Sequence, residues 1–143
     1  MFTFSFNRKK LEIEVEKNVR TALKMVGKGI SRSIKDSFGA SRSSPGAPPG
    51  VISGRLQDSI TWATSFGPRS RAGGRASPSD GVSKPKELIG TESVVIGSNV
   101  PYALALEMGY RKPGRRTKTY PRPYLWPALK NNSDLIKEAF RRV

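Results

Sequence analysis

From Asn7 onward, apolar side chains recur every three to four residues: Leu11, Val15, Val19, Ala22, Val26, Ile30, Ile34 and Phe38, with Ile13, Leu23 and Met25 broadening the stripe. Charged residues fill the gaps, among them Lys9, Lys10, Glu12, Glu14, Glu16, Lys17, Arg20, Lys24 and Lys28. This period predicts one amphipathic helix of about 30 residues, about 45 Å long at 1.5 Å per residue. Asn7 suits its N-cap and Gly39 its stop. Gly27 and Gly29 each weaken the middle by about 1 kcal/mol relative to alanine, so a bend or a close approach is expected there. Ahead of the helix, FTFSF at 2–6 alternates apolar and polar, and fits either a short strand or a staple onto the helix. A helix this long needs a sheet or a partner subunit to lie on.

The period then changes. GASRSSPGAPPGVI at 39–52 is a loop by its Gly, Pro and Ser content. SGRLQDSI at 53–60 predicts a short helix capped by Ser53 and carrying Leu56 and Ile60. ITWATSF at 60–66 and ESVVIGS at 92–98 read as strands. Between them, GPRSRAGGRASPSDGVSKPK at 67–86 has little to bury. The two strands therefore predict an antiparallel hairpin around a flexible basic excursion, at about 67–90. VPYALALEMG at 100–109 can alternate as a strand or present one face as a helix. Its Ala, Leu, Glu and Met favour the helix, with Pro101 in its first turn and Gly109 at its exit. Residues 110–120 form a basic loop or small hairpin. PRPYLWPALKNNSDLIKEAFRRV ends the chain as a helix, with a break and a new cap expected at Asn131-Asn132-Ser133. The whole is an α+β domain over 1–143: a long N-terminal helix on a small antiparallel sheet, with short helices and a C-terminal helix.

Composition narrows the chemistry. The 143 residues suffice for one domain. They include no cysteine and no histidine, which removes disulfides, thiolate sites and the commonest zinc and acid–base chemistries. No metal, cofactor or catalytic residue is expected. Lys and Arg number 26 against 11 acids, a net charge of +15. Such charge attracts phosphate, anionic membranes or acidic protein surfaces. No apolar run approaches the ~20 residues that span a bilayer, and the N-terminus lacks the order of a secretory signal. A soluble protein without a membrane partner is expected.

Three motifs stand in order: SGRL at 53–56, PYALALEMG at 101–109 and PRPYLWPAL at 121–129. Together with the long N-terminal helix they resemble a family of tailed-bacteriophage neck proteins, also called tail-component or head–tail joining proteins. The resemblance covers about residues 5 to 140. Ser53, Met108 and Tyr124 depart from the commoner Thr, aromatic and Phe of its pattern. The segments 67–90 and 110–120 look longer than the family minimum. The resemblance implies a non-catalytic structural protein, made in the host cytoplasm and built into the head–tail junction of the virion. It implies a homo-oligomeric ring around the DNA channel, with connector or head-closure and tail-terminator proteins as partners.

Candidate residues follow from the motifs. Tyr102, Glu107, Gly109, Arg122, Tyr124 and Trp126 are assembly or interface candidates. From the residues alone, Glu107 is most simply an exposed helix position. The resemblance makes it part of a motif, and its expected partner is an arginine, Arg122 first, through a bidentate pair. A catalytic Glu107 lacks a second acid, a His or a metal cluster. Arg122 lies between two prolines and is held stiffly. Leu125 and Leu129 are expected in the core, whereas Trp126 fits core and interface equally. The basic insert offers Arg111, Lys112, Arg115, Arg116 and Lys118, and the excursion Arg69, Arg71 and Arg75. Each set fits a solvated face, DNA phosphate in the channel, or acidic loops of an adjoining ring. The alternative reading, from charge alone, is a free-standing, sequence-independent nucleic-acid-binding protein.

Overall fold

The computed structural model of the chain describes residues 7–39, 44–50, 53–82, 92–111, 113–114, 116, 118–141 and 143. The FTFSF segment and residues 83–90 of the excursion lie outside them.

The long helix, α1, runs unbroken over Arg8–Ser37, and the Asn7 side chain caps it by accepting from the Lys10 amide at 3.1 Å. Its end differs from expectation. Phe38, in an extended conformation, is the C-cap, and Gly39 instead bridges to Gly50. Phe38 leaves the helix because its ring is wanted in the core, 5.5 Å from that of Tyr124.

Helix α2 (Arg55–Ser59) follows, with Gly54 at its N-cap in a left-handed conformation, φ 76°. Such a backbone favours glycine. Ser53, the expected cap, stands one residue earlier, where its Oγ accepts from the Arg55 amide at 3.4 Å. Strands β1 (Thr61–Thr64) and β2 (Val94–Gly97) then pair antiparallel, with Trp62 opposite Ile96 and Ala63 opposite Val95. Helix α3 (Ala103–Met108) leads into a small hairpin of β3 (Tyr110–Arg111) and β4 (Lys118–Thr119). Helices α4 (Leu125–Asn131) and α5 (Ser133–Phe140) end the chain. The break between them falls at Asn132, whose side-chain amide donates to the Ala128 carbonyl and to Ser33 Oγ on α1.

The fold is thus α+β, with the C-terminal half of α1 at its centre. Val26, Ile30 and Ile34 of α1 meet Leu56 and Ile60, then Val100, Ala103, Tyr124, Ala128 and Ala139 from the rest of the chain. The two mid-helix glycines allow close approach rather than a bend. A Cβ on Gly27 would lie 2.9 Å from the Trp62 ring, and one on Gly29 would lie 2.6 Å from a Leu135 methyl. By contrast, every residue of α1 from Arg8 to Lys17 is exposed.

The excursion is ordered where it is described, against the expectation of a loose loop. Residues 68–70 run along the free edge of β1. There the Thr64 amide donates to the Pro68 carbonyl and the Ser70 amide to the Trp62 carbonyl, both at 2.8 Å. Pro78–Asp80 form a single 3-10 turn, capped reciprocally by Ser77 and Asp80.

Candidate functional site

Glu107 occupies the last turn of α3, and its carboxylate is held by backbone. Its Oε2 accepts from the amides of Tyr124 (2.7 Å) and Leu125 (3.0 Å), and its Oε1 from the amide of Trp126 (3.0 Å). These are the first free N–H groups of α4, which has no side-chain cap of its own. A helix start leaves such donors unsatisfied and carries partial positive charge, so a carboxylate placed there is doubly favoured. The expected Glu107–Arg122 ion pair is not formed. Arg122 instead joins α3 through its backbone amide, which donates to the Leu106 carbonyl at 2.6 Å. The second and third motifs are thus locked together by main chain on one side and one carboxylate on the other.

Other motif residues take definite places. Tyr124, one of the interface candidates, is fully buried within the chain. Its hydroxyl donates to the Ala103 carbonyl at 3.2 Å, and burial, with the nearby Glu107 charge, pushes its pKa upward. Gly109 turns the chain out of α3 at φ 75°, and a Cβ there would lie 2.8 Å from the Thr119 carbonyl oxygen. The close return of the hairpin thus requires glycine at this point. Leu129, expected in the core, is exposed, whereas Leu125 packs against it. Trp126 at the start of α4 is 66% exposed, and on α3 so are Leu104, at 69%, and Met108, at 70%. The end of α3 and the start of α4 therefore each carry bare apolar side chains.

The first motif does a job that its reading did not foresee. Arg55 donates from Nε and Nη2 to Asp80 at 2.9 and 2.8 Å. Asp58 accepts from Arg75 Nε, Nη2 and backbone amide, each at 2.9 Å. The two charges of α2 therefore clamp the excursion at two points with bidentate pairs. The Arg55 guanidinium, then the Ser77 amide, hold the Asp80 pKa down at about 2, from 3.8. Arg75 likewise lowers that of Asp58. Arg75 is thereby committed inside the chain and is not a free cation for DNA. A signal existed in the sequence. In a strongly basic chain each isolated acid has many arginines to choose from, and SPSD at 77–80 has the Ser-x-x-acid spacing of a capping box.

The remaining basic candidates stay at the surface. Arg69, Arg71, Arg111 and Arg116 are exposed and form no ion pair among the described residues. Lys118 is exposed with its ammonium 5.7 Å from the Tyr120 ring centre. Lys112 and Arg115 lie outside the described residues. Among the described residues, no group of three His, Cys, Asp or Glu side chains is placed to hold a metal. No described helix is long and apolar enough to cross a membrane.

The three motifs also border one cleft of about 350 Å3. Ser53, Gly54 and Leu56 come from the first, Tyr102 and Leu106 from the second, and Arg122 from the third, with Phe38 at the end of α1 closing the wall. Arg122 is half-buried there, and its side chain has no carboxylate partner among the described residues. No protein-family model, curated protein or solved structure matches the chain. Its function must therefore be argued from this geometry and from the motifs themselves.

Proposed function

We propose that the chain is a structural protein of the tailed-phage neck, one subunit of a ring that joins the capsid connector to the tail. The observation that carries the reading is the convergence of the three motif segments. Glu107 and the Arg122 backbone lock the second to the third, and all three border the same cleft. Residues that a catalytic reading would use are spent on holding main chain. Apolar side chains at Leu104, Met108 and Trp126 are left facing outward, as a subunit awaiting neighbours would leave them. Connector or head-closure proteins on one side and a tail-terminator on the other are the expected partners. Cryo-electron microscopy of the assembled particle tests this: density for the chain as a ring at the head–tail junction is expected, and its absence from that junction overturns the reading.

The exposed guanidinium groups of Arg69, Arg71, Arg111 and Arg116, without ion pairs among the described residues, favour a second reading, contact with DNA phosphate. Within a ring this would be channel lining. In a free protein it would be sequence-independent binding. A salt titration separates the two. Tight binding by the isolated monomer, falling steeply with salt, favours the free-standing protein.

A further inference from the structure

Two surfaces at opposite ends of α1 complement one another. At the N-terminal end, three turns stand clear of the core. Leu11 and Val15 form one apolar edge there, with Glu14 beside it, and Glu14 has no ion pair among the described residues. Three of the chain's 11 acids, Glu12, Glu14 and Glu16, lie on these turns among Arg8, Lys9, Lys10 and Lys17. Glu12 pairs with Arg8 and Glu16 with Arg20, which leaves Glu14 as the carboxylate without an ion pair among the described residues. At the C-terminal end lies the cleft beside Phe38. Its described lining is mainly apolar groups and glycines, and the one charged side chain among these residues is Arg122, which has no ion pair among the described residues. One surface is apolar with a spare carboxylate. The other is apolar with a spare guanidinium.

A chain cannot bring its own two surfaces together. Helix α1 is unbroken from Arg8 to Ser37. Leu11 and Phe38 are therefore about 40 Å apart along its axis, at 1.5 Å per residue. The match can be made only between copies. Because the two surfaces differ, the contact is head-to-tail, and repeated head-to-tail contacts close into a ring when the rotation permits.

We infer that the first turns of α1 of one subunit dock in the Arg122 cleft of the next, with Leu11 and Val15 entering the apolar cleft and Glu14 pairing with Arg122. The inference rests on the ring reading above and names its contact. It is a helix-in-groove mode, with anchors one turn apart. A volume of about 350 Å3 lies at the lower end of the range of ligand pockets.

The absence of cysteine makes a direct test available. Leu11→Cys and Tyr102→Cys chains are mixed and treated with a short bis-maleimide. A cross-link from the thiol introduced by Leu11→Cys on one chain to the thiol introduced by Tyr102→Cys on another is expected. A chain carrying both substitutions should give a ladder of oligomers. Only like-with-like links, a link within one chain, or no link in either the concentrated protein or the assembled particle would overturn the inference. Charge exchange gives a second arm. Glu14→Arg, on an exposed helix face, and Arg122→Glu should each weaken self-association by about tenfold or more. The two changes combined should recover most of it, and a combined variant no better than the worse single one contradicts the pairing. The two levels fail separately. A neck ring without this cross-link removes the contact and keeps the function, whereas a linked oligomer absent from the neck does the reverse.

Discussion

The two halves of α1 carry the same amphipathic pattern and have opposite fates. Val26, Ile30 and Ile34 are buried against the sheet and the C-terminal helices. Leu11, Ile13 and Val15 repeat the apolar spacing and remain 39% to 59% exposed. Periodicity reports which face of a helix is apolar, and says nothing about what covers it. The charges divide the same way. Glu107, Asp58 and Asp80 are committed to partners inside the chain, whereas the side chains of Glu14 and Arg122 have no ion pair among the described residues.

The sharpest way to break this comparison is truncation in each half. Ile34→Ala should destabilise the monomer by about 2–5 kcal/mol, because it leaves a cavity in a closed core. Denaturant titration measures it, and a loss like that at an exposed position would erase the distinction. Next comes Glu107→Ala, which strands three amides at the start of α4. A cost of about 1–3 kcal/mol is expected in the same titration. Glu107→Gln keeps one acceptor oxygen and should lose less. If Gln cost more than Ala, the carboxylate's hold on the amides would not be its role.

The committed acids also predict a pH response. Asp80 titrates at about 2 when folded, below its ordinary 3.8. Its contribution is therefore complete above the ordinary value and is lost as pH falls from about 4 toward 2. Asp58 is shifted in the same direction. Thermal melts across that window should show stability falling with acid, and Asp80→Asn should flatten part of the fall. An unchanged profile in the variant would contradict the clamp. The smallest effect belongs to the bare half: Leu11→Ala and Val15→Ala should each change monomer stability by no more than about 0.5 kcal/mol. Both should nevertheless weaken self-association. A large loss of monomer stability would mean that this face is already covered within the chain.

Much of the fold was legible in the sequence. The unbroken helix, the β1–β2 hairpin and the break at Asn132 each follow from local period or local caps. The site was less so. Glu107 sits in a recognisable segment, but its partners are backbone amides 17 to 19 residues on, which no side-chain pattern advertises. Arg122 looked like the natural counter-ion, yet its backbone, not its guanidinium, meets α3. Tyr124 and Trp126 are two residues apart in one motif, and one is buried while the other is bare. The turn into α4 decides that, and it depends on Glu107. The excursion's Gly, Pro and Ser suggested disorder; the SPSD cap is written in the sequence, but which arginine meets which acid, 17 residues away for Asp58 and 25 for Asp80, is not.

The central claim is that one helix serves two partners, its own core and a neighbouring subunit. Hydrogen exchange along α1, in the isolated chain and in the assembled particle, tests it most directly. Residues 22–34 should exchange slowly in both states. Residues 8–17 should exchange fast in the isolated chain and become protected on assembly. Equally fast exchange of 8–17 in both states would contradict the account.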